Sequence, residues 1–205
     1  MLNEQAVYSD LLKSFSSTLK ETSKDDSGGA VCYMTNCQTR VVSFDSFKDS
    51  IIQHGWASRP KSCDALHRYS EDKWFLIEFK NGILENKSKE GFRPDTQVFF
   101  DIIRKLFESL FLLTEKLGQT IDFTRKNLVF ILVYNDNEDK NGCLKIKDNL
   151  FKLGHQNDIL PMSYLSEILP DKPLNISYFD KLYIKRAFVC SQNNFEQIFV
   201  KKYAN

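Results

Sequence analysis

Between Leu2 and Lys20 the apolar residues Leu2, Ala6, Val7, Leu11, Leu12, Phe15 and Leu19 recur at helical spacing, so the chain is expected to open with an amphipathic helix. Ser23–Gly29 (SKDDSGG) has the composition of a flexible connection. Ala30–Thr35 and Arg40–Phe44 read as short strands, and Asp45 as the N-cap of a brief helix running to about His54 and closed by Gly55. Cys63–Tyr69 reads as a short mixed strand and Ser70–Lys73 as a turn. Trp74–Phe79 reads as a strand that is apolar except for Glu78, with Lys80 just after it. Asn81-Gly82 marks a turn, and the density of charge over Glu85–Arg93 points to a mobile loop.

The second half begins with the longest helix, Thr96–Leu117. Val98, Phe99, Ile102, Ile103, Leu106, Leu110, Phe111, Leu113 and Leu117 give it a wide apolar face, and Gly118 ends it. Leu128–Tyr134 (LVFILVY) is the most continuous apolar run and reads as a strand buried on both faces. A polar loop over Asn135–Gly142 follows, then a helix over Leu144–Leu153 and irregular chain over Gly154–Pro173. Leu182–Val189 reads as a late strand and Asn194–Tyr203 as a closing amphipathic helix.

Composition narrows the field. The 205 residues suffice for one domain with a real core, and 17 Phe point to a well-filled interior. With 28 basic and 27 acidic residues, any nucleic-acid footprint has to be local. Lys181–Arg186 and Lys201–Tyr203, where basic residues stand among aromatics, are candidate phosphate contacts. MLNEQAVYSD has neither the basic start nor the apolar run of a signal peptide, and no stretch is long enough to span a bilayer. Cys32, Cys37, Cys63, Cys143 and Cys190 are odd in number and lack CxxC spacing, so the expectation is free thiols in a cytoplasmic protein. His54, His67 and His155 are scattered and read as structural or surface residues.

The chemistry concentrates in CDALHRYSEDKWFLIEFKNG, residues Cys63–Gly82. Strand alternation puts Trp74, Leu76, Glu78 and Lys80 on one face and Phe75, Ile77 and Phe79 on the other. Asp64 shares its face with Leu66 and Arg68. Ordinary antiparallel pairing then brings the Asp64 end beside the Glu78–Lys80 end. The Glu-x-Lys spacing also occurs at Glu71/Lys73, Glu85/Lys87 and Glu138/Lys140, all in polar stretches. Only Glu78/Lys80 closes an apolar strand preceded by an Asp-bearing one.

Asp64 followed by Glu78-Phe79-Lys80 resembles the signature of the PD-(D/E)xK nuclease-like superfamily over roughly residues 2–134, with Cys63 standing where a Pro is usual. The resemblance implies an α/β (α+β) restriction-endonuclease-like core, a central mixed sheet flanked by helices. Its order is α-β-β-β-α-β, here followed by a C-terminal strand and helix over about 143–205. It implies Mg²⁺- or Mn²⁺-dependent hydrolysis of phosphodiester bonds in DNA or RNA. In that reading Asp64, Glu78 and the Phe79 carbonyl hold the metal. Lys80 orients or deprotonates the attacking water or offsets charge on the phosphate, Gln97 reaches in from the long helix, and Glu4 or Glu21 adds a carboxylate. A homodimer is compatible with such a nuclease. Near-neutral charge also fits a rival: a catalytically inactive nuclease-like fold that binds a protein partner as an immunity or regulatory module. An unrelated α/β domain with a structural ion pair is the third reading, and it requires Asp64 to lie far from Glu78.

Overall fold

Asn3 starts the first helix, its side-chain oxygen accepting the backbone N–H groups of Gln5 and Ala6 at 3.0 and 3.3 Å. The computed structural model describes residues 3–26, 31–52, 58–82, 85–88, 91–94, 96–135 and 179–204. Helix α1 (Glu4–Ser14) stops well short of Lys20. The run Ser16-Ser17-Thr18, whose hydroxyls favour non-helical backbone, becomes β1 (Ser16–Thr18), and a single turn, α2 (Leu19–Thr22), follows under a Thr18 cap. The one opening helix expected from periodicity is thus divided, because β1 finds an antiparallel partner in β4 (Arg40–Ser43). Between them β2 (Lys24–Asp25) and β3 (Cys32–Tyr33) make a small antiparallel pair. Helix α3 (Phe44–Ile51) is capped by Ser43, not by Asp45 as the sequence suggested; Ser43 Oγ accepts the Ser46 N–H, while Asp45 takes hydrogen bonds from Ser62 and Lys48. The helix ends at Ile51, short of the expected His54, with Ile52 already extended; His54 and Gly55 themselves lie outside the described residues.

The central hairpin pairs β5 (Ala65–Ser70) with β6 (Lys73–Lys80), Ala65 opposite Ile77 and Leu66 opposite Leu76. Alternation divides β6 between two cores. Trp74 and Leu76 pack with Leu66, Leu106, Leu113 and Phe130 under the helices, and Phe75, Ile77 and Phe79 pack with Phe195, Phe199 and Tyr203 on the other side. The charged stretch after Gly82 forms a ribbon rather than a loop, β7 (Glu85–Ser88) paired antiparallel with β8 (Gly91–Pro94). Such a ribbon satisfies its backbone groups between its own halves, so its charged sequence is no obstacle.

Helix α4 (Thr96–Leu117) has the expected bounds and ends at Gly118 with φ 60°. Phe111, counted on its apolar face, is 72% exposed, so the buried stripe is narrower than the apolar one. A short helix that periodicity did not reveal, α5 (Ile121–Asn127), follows under a Thr120 cap. β9 (Leu128–Tyr134) is buried along its whole length and runs parallel to β6 and to β10 (Arg186–Ser191). The strand expected at Leu182–Val189 starts later because Lys181, at φ 59°, turns the chain just before it. The C-terminal strand therefore belongs to the same six-stranded sheet, in order β1-β4-β5-β6-β9-β10. The protein is a mixed α/β fold, with a central mixed sheet flanked by helices. The closing helical segment contains a π-helical stretch, Phe195–Val200, which brings Phe195 and Phe199 into a stacked pair 4.8 Å apart. The polar loop and helix expected over residues 136–173 lie outside the described residues.

Phe130 is fully buried at the centre of β9. Phe130→Ala should lower stability by about 3–5 kcal/mol, and Phe111→Ala should change it by no more than about 0.5 kcal/mol. Urea denaturation checks both, as a shifted midpoint at unchanged slope for the first and an unmoved midpoint for the second.

Candidate functional site

Asp64 stands one residue before β5, where its backbone N–H still bonds the Ile77 carbonyl at 3.0 Å. Its Oδ2 accepts the Phe79 N–H at 2.6 Å, which aims the carboxylate at the end of β6. Glu78 lies next to it on that strand, and only 2% of its side chain is exposed. The register expected from the sequence thus brings Asp64 and Glu78 together. Between them stands an ammonium that the motif did not supply: Lys105, from α4, donates from Nζ to Glu78 Oε1 at 2.6 Å and lies 3.7 Å from Asp64 Oδ1. Among the described residues, Glu78 Oε2 is buried with no hydrogen-bond partner.

These groups line a cavity of about 270 Å³, shared by Lys80 and Asn81 from the end of β6, Asp101 and Lys105 from α4, Lys61, and Lys24 and Asp25 from β2. Two of the other lysines are engaged, Lys61 with Asp101 at 2.6 Å and Lys24 with Asp26 at 3.1 Å. Among the described residues, Lys80 is the cavity lysine that has neither an ion pair nor a hydrogen bond from its ammonium.

Burial governs the ionisation of the cluster. Desolvation lifts Asp64 to about 6, against the opposing pull of Lys105 and of the Phe79 N–H. Burial, reinforced by the neighbouring Asp64 charge, holds Glu78 well above the usual carboxylate range. Burial also works against the Lys105 charge, but the attraction of Glu78 and Asp64 outweighs it and raises the ammonium above its ordinary value. Cys63 beside them is pushed up by burial and then by Glu78, which makes it a poor nucleophile. Two carboxylates thus share one ammonium, and a buried carboxylate oxygen is left unsatisfied.

That arrangement fits a small divalent cation. Mg²⁺ commonly takes one or two carboxylates and keeps several waters. Asp64 and Glu78 supply the two, and the Phe79 backbone, whose N–H faces Asp64, carries its carbonyl on the same strand edge. No group of three or more His, Cys, Asp or Glu side chains able to hold a metal is present among the described residues.

Gln97, expected to reach the site, is exposed and points along its own helix, its Nε2 3.4 Å from Asp101 Oδ1. The polar residues of α4 that line the cavity are Asp101 and Lys105, one and two turns further on, with Val98 and Ile102 beside them. Neither candidate for the added carboxylate, Glu4 or Glu21, lines it. Glu4 accepts from Gln119 Nε2 at 2.8 Å, and Glu21 is exposed on α2. The N-terminal carboxylate at the cavity is Asp25, which accepts from Asn81 Nδ2 at 2.9 Å while Asn81 Oδ1 accepts from Asn135. A signal for Lys105 existed: Gln97, Asp101 and Lys105 form a polar row at four-residue spacing along α4. Asp25 had none, since SKDDSGG reads as a connection whichever Asp is used.

Elsewhere, Cys32, Cys37, Cys63 and Cys190 are free thiols, and Cys143 lies outside the described residues. His67 is structural, buried with its Nε2 2.7 Å from the Tyr203 carbonyl; His54 and His155 lie outside the described residues. Of the basic stretches, Lys185 reaches the Asp72 carbonyl at 3.3 Å, and Lys202 lies over the Tyr203 ring at 5.4 Å from its centre. Among the described residues no helix is long and apolar enough to cross a membrane. In comparisons with family models, curated protein sequences and solved structures, nothing matches the chain.

Asp64 makes the metal-free protein pH-sensitive in a defined direction. Its carboxyl titrates at about 6 when folded, against an ordinary 3.8, so the folded state binds the extra proton between these values and stability falls as pH rises through the window. Asp64→Asn keeps an oxygen for the Phe79 N–H and removes the charge. In EDTA at pH 8 it should be more stable than the parent by on the order of 1–3 kcal/mol, and the gap should close by about pH 4. Thermal melts across this range measure it.

Proposed function

We propose that the chain is a metal-dependent phosphodiesterase acting on nucleic acid, with a restriction-endonuclease-like core of the PD-(D/E)xK kind. The observation that carries this reading is the convergence of Asp64 and Glu78 from adjacent strands on one cavity, with Glu78 Oε2 unsatisfied and Lys80 unpaired beside them. The topology supports it. An antiparallel run β4-β5-β6 is followed by a long helix and a strand, β9, parallel to the Glu-x-Lys strand. Leaving aside α3 and the β7-β8 ribbon, this follows the order, in a mixed sheet, that the superfamily resemblance implies.

Asp64 and Glu78, with the Phe79 carbonyl, would hold Mg²⁺ or Mn²⁺. When bound, such an ion acidifies a water and withdraws charge from a phosphoryl oxygen. The protein's own residues do the rest. The backbone bond from Phe79 fixes the Asp64 carboxylate before any ligand arrives, so no reorganisation is needed at the moment of reaction. Lys80, at the strand end, faces the position where a water attacks phosphorus. It either orients that water or offsets charge gathering on the phosphate as the ester oxygen departs with a proton. The cavity lining holds four lysines and four carboxylates, so one divalent ion tips it positive and suits a phosphodiester.

One observation favours the inactive alternative, a nuclease-like fold that binds a protein partner. The Lys105–Glu78 ion pair already neutralises a carboxylate, as a retired site would. Calorimetric titration of Mn²⁺ separates the two. On the catalytic reading the parent binds one ion, Asp64→Ala weakens binding by at least about 100-fold, and Lys80→Ala changes it by less than about 3-fold while abolishing cleavage of test DNA and RNA. A parent protein that takes up no Mn²⁺ rejects the catalytic reading and turns the search to a partner by pull-down.

A further inference from the structure

Lys105 poses a problem for a metal site. Its ammonium touches one carboxylate oxygen and approaches the other carboxylate, so it already supplies the positive charge that the pair attracts. An ammonium and a divalent ion cannot both stay close between two carboxylates, because they repel each other in a poorly solvated space. One of them has to give way. The side chain has the means: Lys105 carries its ammonium on four methylenes, is 28% exposed, and lines the cavity rather than being walled in behind it.

Building on the metal-dependent reading above, we infer that Lys105 is a positioning residue that acts as the site's resident counter-cation: it holds Asp64 and Glu78 in place while no metal is bound, and metal binding displaces its ammonium into the cavity beside Lys80. Three features of the site converge on this. Lys105 contacts both carboxylates, whereas Lys80, the lysine of the motif, contacts neither. Glu78 Oε2 remains unsatisfied even with Lys105 in place, so the ammonium is an incomplete substitute for a cation with more coordination positions. The other two paired lysines of the cavity are held by Asp101 and Asp26, away from Asp64 and Glu78, which leaves Lys105 as the one whose partner changes. The exchange lowers metal affinity but leaves two mobile ammonium groups facing a bound phosphate, from the strand and from the helix.

The test is a Mn²⁺ titration of the full chain and of Lys105→Met, Lys105→Arg and Lys80→Met, with thermal melts in EDTA and in saturating Mn²⁺. Lys105→Met removes the competitor and should bind Mn²⁺ at least about 10-fold more tightly. Its melting temperature should drop in EDTA, where two buried carboxylates lose their counter-cation, and recover in Mn²⁺. Lys105→Arg, whose guanidinium grips carboxylates more firmly, should bind Mn²⁺ more weakly than the parent. This variant keeps the test decisive if Lys105→Met fails to fold in EDTA. Lys80→Met should match the parent in affinity and in EDTA stability. Binding that Asp64→Ala abolishes but that neither Lys105 substitution alters would overturn the inference and leave the metal site standing. Absence of Mn²⁺ binding in the parent and in all variants rejects both.

Discussion

The antiparallel register of β5 and β6 is the constraint on which the site depends. Ala65 opposite Ile77 places Asp64 next to Glu78 and lets the Phe79 N–H reach its carboxylate at 2.6 Å. A slip by one residue would turn Trp74 and Leu76 toward the C-terminal helix and Phe75 and Ile77 toward α4, breaking both cores at once. Register is therefore enforced by apolar burial on two faces, each filled with rings of different shape. Trp74 meets Tyr8 and Phe123 edge-on, while Phe75 meets Phe199 edge-on. The polar cluster inherits its geometry from hydrophobic packing that it does not itself provide.

This matters because the cluster is unfavourable on its own terms. Glu78 sits in a strand whose other central residues are apolar, and removing a carboxylate from water costs several kcal/mol unless an opposite charge compensates. Lys105 compensates in part, being placed by α4, whose apolar residues pack into the core. A fold selected for stability alone would fill these positions with matched apolar side chains. Here a rigid sheet and helix hold two carboxylates against their preference for water, as expected where preorganised charge is the useful product.

Much of this was legible in the sequence, for identifiable reasons. Strands β6 and β9 announce themselves as apolar runs and helix α4 by its helical period of apolar residues, and Gly118 marks a clean stop. The pairing of Asp64 with Glu78 followed from alternation plus a short turn. What stayed hidden depended on distant partners. Ser16–Thr18 leaves the helical path because β4 offers it backbone bonds, and β4 lies more than twenty residues away in sequence. Lys105 was one lysine among many until α4 could be laid across β6. The superfamily resemblance points to Gln97 near the helix start, but a helix crossing the sheet presents its later turns to the strand end as well. Asp25 reaches the cavity only because β2 and β3 fold the connection back on itself.

The position of the cavity follows from the sheet's mixed pairing. β6 is antiparallel to β5 and parallel to β9, so β5 begins where β6 and β9 both end. In open α/β sheets ligands gather beyond the carboxyl ends of parallel strands, where the connections to neighbouring strands diverge. At this end β6 leaves toward Asn81 and β9 toward Asn135. The two asparagines bridge the gap, Asn135 donating to Asn81 and Asn81 to Asp25. Asn81 and Asp25 from this bridge line the cavity together with Asp64. A cleft with fixed acidic and amide walls and lysines of unequal freedom is thus built into the topology. Exchanging the side chains lining it would alter the chemistry while leaving the cleft in place.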